Sequence, residues 1–137
     1  MTIKLILESG EEAVFARTEP AIGNFFAVAE GNNEDAALNT MRELIDDYLL
    51  HEGKDDAIWH PIDDAAEITF DLYYDIQTLF DKFKSLKISE VAHLSGMSAS
   101  LLRQYVAGSK HPSAKQAKRI ETAIRTLGQQ LAAVSVC

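Results

Sequence analysis

The chain is short of several things, and each shortage removes a class of protein. It holds one cysteine, three prolines and one tryptophan in 137 residues. A single thiol, Cys137, excludes an intramolecular disulfide and agrees with a reducing compartment. No apolar run approaches the roughly 18 residues of a membrane span. The opening "MTIKLILESGEE" lacks the basic-then-apolar pattern of a secretory leader. The expectation is a cytoplasmic protein with no membrane partner. There is no Gly-rich phosphate loop and no nucleophile motif. His51 and His60 stand nine residues apart with no Cys or His at ligand spacing, so they read as loop histidines. No metal and no cofactor are expected.

The most telling scarcity is that of positive charge in the first part of the chain. Residues 1–81 hold 4 basic and 19 acidic side chains, whereas residues 82–137 hold 9 basic and 2 acidic. The switch coincides with a change of pattern, which points to two modules with different partners rather than two faces of one domain. The hydrophobic content of 47% is enough for a real core, and the length fits one or two small domains.

The acidic part reads as βββαβ. "TIKLILE" (2–8) alternates, and "EAVFAR" (12–17) follows a short turn, so a hairpin is predicted. "NFFAVAE" (24–30) is aromatic and β-branched, a third strand. Asn32 or Asn33 then caps a helix, with Glu34 and Asp35 in its first turn. Its apolar face is Ala37, Leu38, Met41, Leu44, Ile45, Tyr48 and Leu49, ending near residue 50. Residues 51–65 read as a loop from their Gly, Pro and Asp content. "EITFDLY" (67–73) alternates again, with Ile68, Phe70 and Leu72 inward. The paired carboxylates Asp46/Asp47, Asp55/Asp56 and Asp63/Asp64 raise the question of a two-metal nuclease. That chemistry needs carboxylates converging from different strands. Here the pairs fall on a helix surface or in a loop, so they read as solvated, no residue is assigned a catalytic role and the chain is not expected to be an enzyme.

The basic part reads as helices. Asp75 caps one whose buried face is Ile76, Leu79, Phe80 and Phe83. "ISEVAHLS" (88–95) forms a short helix that Gly96 ends, a position that usually needs φ > 0. Ser98 caps the next, over 99–107. At about 100° per residue, Ala99, Ser100, Arg103, Gln104 and Ala107 share one side, and Leu101, Leu102, Tyr105 and Val106 the other. A small or polar face with one cation and one amide is what a helix needs to enter a major groove and reach base edges. Gly108 stops that helix. Ser113 and Gln116 fit a capping box for a last helix that buries Ala117, Ile120, Ile124 and Leu127 and is closed by Gly128. Lys115, Lys118 and Arg119 lie in its first turns, where cations oppose the helix dipole and an incoming phosphate would relieve them.

The segment "EVAHLSGMSASLLRQYVAGSKHP" resembles the helix–turn–helix of phage-repressor type, with Ala92, Gly96, Ser98, Leu102, Tyr105, Gly108 and Pro112 in the matching places. It departs from that pattern at Val106, where Glu is frequent, and at Ala99, where a Gln or Arg often reads a base. Taken with the helix "NNEDAALNTMRELIDDYL" and the link "ITFDLYYDIQTLF", the chain is similar to the HicB-like antitoxin family, in the variant with a C-terminal helix–turn–helix. The resemblance implies a partial RNase H-like sheet without nuclease activity, a small basic toxin partner of the HicA ribonuclease type, and repression of its own operon.

The sequence therefore predicts an α+β protein: an acidic βββαβ domain over 1–74 with one packed helix, then an all-α DNA-binding domain of four to five helices over 75–137. The expected partners are operator DNA, a small basic toxin protein and a second copy of the chain in a homodimer or larger oligomer. The residues expected at DNA are Ser98, Ala99, Ser100, Arg103, Gln104, Lys110, Lys115 and Lys118. The competing reading is a stand-alone transcription regulator whose N-terminal domain dimerises or binds a small ligand.

Overall fold

A computed structural model describes all of residues 1–137. It is an α+β structure that divides into two compact units, Met1–Thr78 and Leu79–Cys137.

In the first unit four strands form a mixed sheet in the order β3-β2-β1-β4. Strands β1 (Thr2–Ser9) and β2 (Val14–Thr18) form the expected hairpin, and β3 (Val28–Gly31) pairs antiparallel to β2. Strand β4 (Thr69–Tyr74) pairs parallel to β1, with Leu5 opposite Leu72. A parallel pair needs a crossover, and helix α1 (Glu34–His51) supplies it. Asn33 caps α1 by accepting from the Ala36 N–H at 2.8 Å, with Glu34 and Asp35 complementing the dipole in the first turn. Ala37, Met41, Ile45, Tyr48 and Leu49 repeat at helical spacing, and this stripe lies in one core with Ile3, Leu5, Leu7, Ala16 and Ala29 of the sheet. The sheet residues of that core alternate along their strands, as a half-covered sheet requires.

Two expectations for this unit are corrected. The third strand begins at Val28, not Asn24. Residues 22–25 form a bridged turn instead, in which Ile22 and Phe25 exchange backbone hydrogen bonds around Gly23 at φ +60°. The stretch 51–65 is not a plain loop. It carries a 3₁₀ turn at Gly53–Asp55, another at Ala65–Glu67, and Trp59 with no exposed surface. Trp59 packs edge-on against Phe25 and Tyr48, with ring centroids 5.2 and 5.7 Å away. Such pairs add stability beyond area burial.

Helix α2 (Ile76–Lys82) follows β4, and the Asp75 carboxylate accepts from the Thr78 N–H at 2.8 Å. Ile76 and Phe80 are buried, but Phe83 lies one residue past the helix and is 44% exposed, contrary to the expected buried face.

The second unit continues with α3 (Ile88–Ser95), α4 (Ala99–Ala107) and α5 (Ala114–Ala132). Its buried apolar residues are Phe80, Val91, Ala92, Leu102, Tyr105, Ile120 and Ala123. Fully burying a Leu102 or an Ile120 side chain contributes about 1.5–3 kcal/mol each. Gly128 does not close α5: the helix runs through it to Ala132. Gly128 has no positive φ and open space where a Cβ would stand, so nothing forces a break there.

Candidate nucleic-acid interface

The helix, turn and helix of the second unit are built from local rules. Helix α3 ends at Gly96, φ +70°, whose N–H bonds back to the last turn of α3. The Ser98 hydroxyl accepts from the Leu101 N–H at 3.1 Å and starts α4. Gly108, φ +79°, ends α4, and the backbone N–H groups of Ser109 and Lys110 both donate to the Gln104 carbonyl. The Ser109 hydroxyl donates to the same carbonyl. These bonds fix where the chain leaves α4, and so where Lys110 is presented.

Leu102 and Tyr105 anchor α4 from below. On the opposite side Ser100, Arg103 and Ala107 are exposed, and Ala99 and Gln104 are half-buried. Arg103, Lys110 and Lys115 are exposed and have no acidic partner. Lys118 is exposed as well, but its ammonium stands 3.4 Å from Glu121, which also pairs with Arg125 at 2.9 Å. Ser113 caps α5 by accepting from the Gln116 N–H at 3.2 Å. The other half of the expected capping box is absent. The Gln116 side-chain oxygen instead accepts from Arg119 at 3.2 Å.

Arg119 has a role the sequence did not reveal. Its second terminal nitrogen donates to the Gly96 carbonyl at 3.0 Å, across 23 residues. The guanidinium therefore ties the turn between α3 and α4 to α5, rather than standing open to a phosphate. A Cβ on Gly96 would lie 2.6 Å from that nitrogen and would push the guanidinium off the Gly96 carbonyl, while the positive φ strains any side chain there. Beside Arg119, between α3 and α5, runs a groove of about 490 Å³ bordered by Leu94, Lys115, Lys118, Thr122 and Thr126.

The carboxylate pairs of the first unit have structural work. Asp46 accepts from the Ala65 N–H at 2.8 Å, Asp64 caps the turn at Ala65–Glu67, and Asp63 pairs with Lys54 at 2.9 Å. That hydrogen bond holds the Asp63 carboxyl below the usual range. Asp56 is buried, against the expectation that all six acids are solvated. It accepts from the backbone of Asn24 and Ile58 and from the Tyr48 hydroxyl. These bonds, that of Asn24 first, hold its carboxyl below the ordinary value. No three His, Cys, Asp or Glu side chains are grouped so as to hold a metal ion. No helix is long and apolar enough to cross a membrane.

The eight residues singled out in the sequence thus fall in two groups. Ser98, Ala99, Ser100, Arg103 and Gln104 belong to the cap and outer side of α4. Lys110, Lys115 and Lys118 follow on the α4–α5 connection and the first turns of α5. No protein-family model, no curated protein and no solved structure matches this chain.

Proposed function

We propose that the chain is a non-enzymatic, two-module antitoxin of HicB type, whose helical unit binds operator DNA and whose acidic unit binds and covers a small basic ribonuclease toxin. The observation that carries the DNA half is the outer side of α4. It presents Ser100 and Arg103 on a helix with small neighbours, and unpaired Lys110 and Lys115 follow it in the chain. An arginine can pair with guanine and a glutamine with adenine, while lysines beyond the helix suit backbone phosphates. A two-fold dimer would place two such helices about 34 Å apart on a near-palindrome. The toxin half rests on the resemblance of the chain to its family and on the excess of 19 acidic over 4 basic residues in positions 1–81.

The deciding experiment is rescue in cells together with operator titration. If a small basic protein is encoded beside the gene, residues 1–78 are expected to relieve its toxicity, and the full chain to bind DNA upstream of its own gene. Rescue by residues 79–137 alone would reverse the assignment. DNA binding without any rescue would favour a stand-alone regulator.

A further inference from the structure

The first unit has only four cations, and each is occupied. Lys4 sits 4.4 Å over the Tyr73 ring. Arg17 is bound by Glu8 and Glu19. Arg42 donates to the carbonyls of Ala65 and Ile68 and stacks on Phe70. Lys54 pairs with Asp63. The second half of α1 has none of them. There a groove of about 250 Å³ opens between α1 and residues 24–27. Its borders include Asn24, Phe26, Leu44, Asp47, His51 and Glu52.

Two features make this groove more than an acidic surface. Phe26 is 62% exposed and Leu44 stands on the opposite rim, so apolar surface is left uncovered beside the acids. Asp47 is 73% exposed, no lysine or arginine lies within 4 Å of it, and its one ion-pair neighbour is the His51 ring at 3.3 Å. An exposed aromatic face beside uncompensated carboxylates suits a guanidinium, which stacks on the ring and pairs with the acid at once. The floor is rigid, since Phe25 and Tyr48 are core residues and Asn24 is held by Asp56.

We propose that this groove is where the chain takes up an arginine-rich segment of a basic protein partner. The inference rests on the reading of the first unit as a binder of such a protein, and it names the surface used. Titration of the full chain with a hexaarginine peptide, followed by amide chemical shifts, tests it. Shifts are expected to concentrate on residues 24–27 and 44–52. Asp47→Lys and Phe26→Ser should each weaken binding about five-fold, while Glu11→Lys, which changes the net charge of the chain as much as Asp47→Lys does, should weaken it less than about two-fold. A lysine at position 47 lies near the C-terminus of α1, where the dipole favours it, so the variant should fold. Shifts spread over the whole acidic surface, or equal weakening by Glu11→Lys and Asp47→Lys, would overturn the proposal. The parent reading fails separately: if the peptide maps to the groove but no small basic protein is encoded beside the gene, or the one encoded there does not bind, the surface stands and the toxin assignment falls.

Discussion

The Tyr48 hydroxyl donates to the Asp56 carboxylate at 2.8 Å, joining the last turns of α1 to the segment that follows it. Burial first, and then this bond to Asp56, push the Tyr48 phenol up to about 12. The same carboxylate holds the turn at residues 22–25 through Asn24, and a Cβ at Gly23 would collide with it. One acid thus closes three pieces of chain on each other.

That relationship predicts a pH dependence at both ends of the scale. The Asp56 carboxyl lies below its ordinary 3.8 when folded. Its contribution is therefore complete above about 4 and is lost as pH falls through the lowered folded value. The Tyr48 phenol lies above its ordinary 10.0 when folded. Its contribution is complete below that value and is lost as pH rises toward about 12. Thermal melts of wild type and Asp56→Asn across pH 3–11 check this. The variant should be less stable at neutral pH and should show a flatter acid limb.

Trp59 gives a second prediction from the same region. Its indole N–H donates to the Ile22 carbonyl at 2.8 Å and its side chain is fully buried. Trp59→Phe should cost about 1–3 kcal/mol by stranding that carbonyl, and Trp59→Ala about 3–5 kcal/mol by opening a cavity. Urea denaturation followed by circular dichroism measures both. Equal stability of Trp59→Ala and wild type would show that residues 52–65 do not belong to the cooperative core.

The turn after α3 gives a third. Gly96→Val meets both a left-handed backbone and the Arg119 guanidinium, and should destabilise the second unit by about 1–3 kcal/mol. Arg119→Gln should lower stability less and should leave the salt dependence of the proposed DNA binding nearly intact, because Arg119 is turned toward the Gly96 carbonyl. Calorimetry and salt-dependent DNA titration separate the two effects.

If α4 enters a major groove as proposed, its outer residues and the lysines beyond it should divide by behaviour. Arg103→Ala and Gln104→Ala are expected to relax preference at a particular base pair, by about 1–3 kcal/mol of discrimination each. Lys115→Ala should weaken operator and scrambled DNA alike and make the salt slope shallower by about one. If Lys115→Ala alters sequence preference and the α4 variants do not, a different helix lies in the groove.

Legibility from sequence followed the range of the interactions involved. Helices α3 and α4 and the start of α5 were readable almost to the residue, because Ser98, Ser113, Gly96 and Gly108 act within three or four positions of themselves. Helix α1 was readable for the same reason, from Asn33 and its apolar stripe. Residues 52–65 were not, since what orders them is Asp56 reaching Asn24 and Trp59 reaching Ile22, across 32 and 37 residues. Composition alone sees only Gly, Pro and Asp there. Arg119 misled for the matching reason: its charge is local, but its partner Gly96 is 23 positions away. Gly128 misled in the other direction, since a glycine in a helix costs only about 1 kcal/mol and need not end it.

The placement of the single tryptophan has an optical consequence. Trp59 lies in the first unit, and the second unit contains Tyr105 but no indole. Emission excited at the red edge, where only indole absorbs, therefore reports the melting of the sheet unit alone. Ellipticity at helix wavelengths is weighted toward the second unit by α3, α4 and α5. The separation between those two melting curves measures directly how far each half of the chain unfolds without the other.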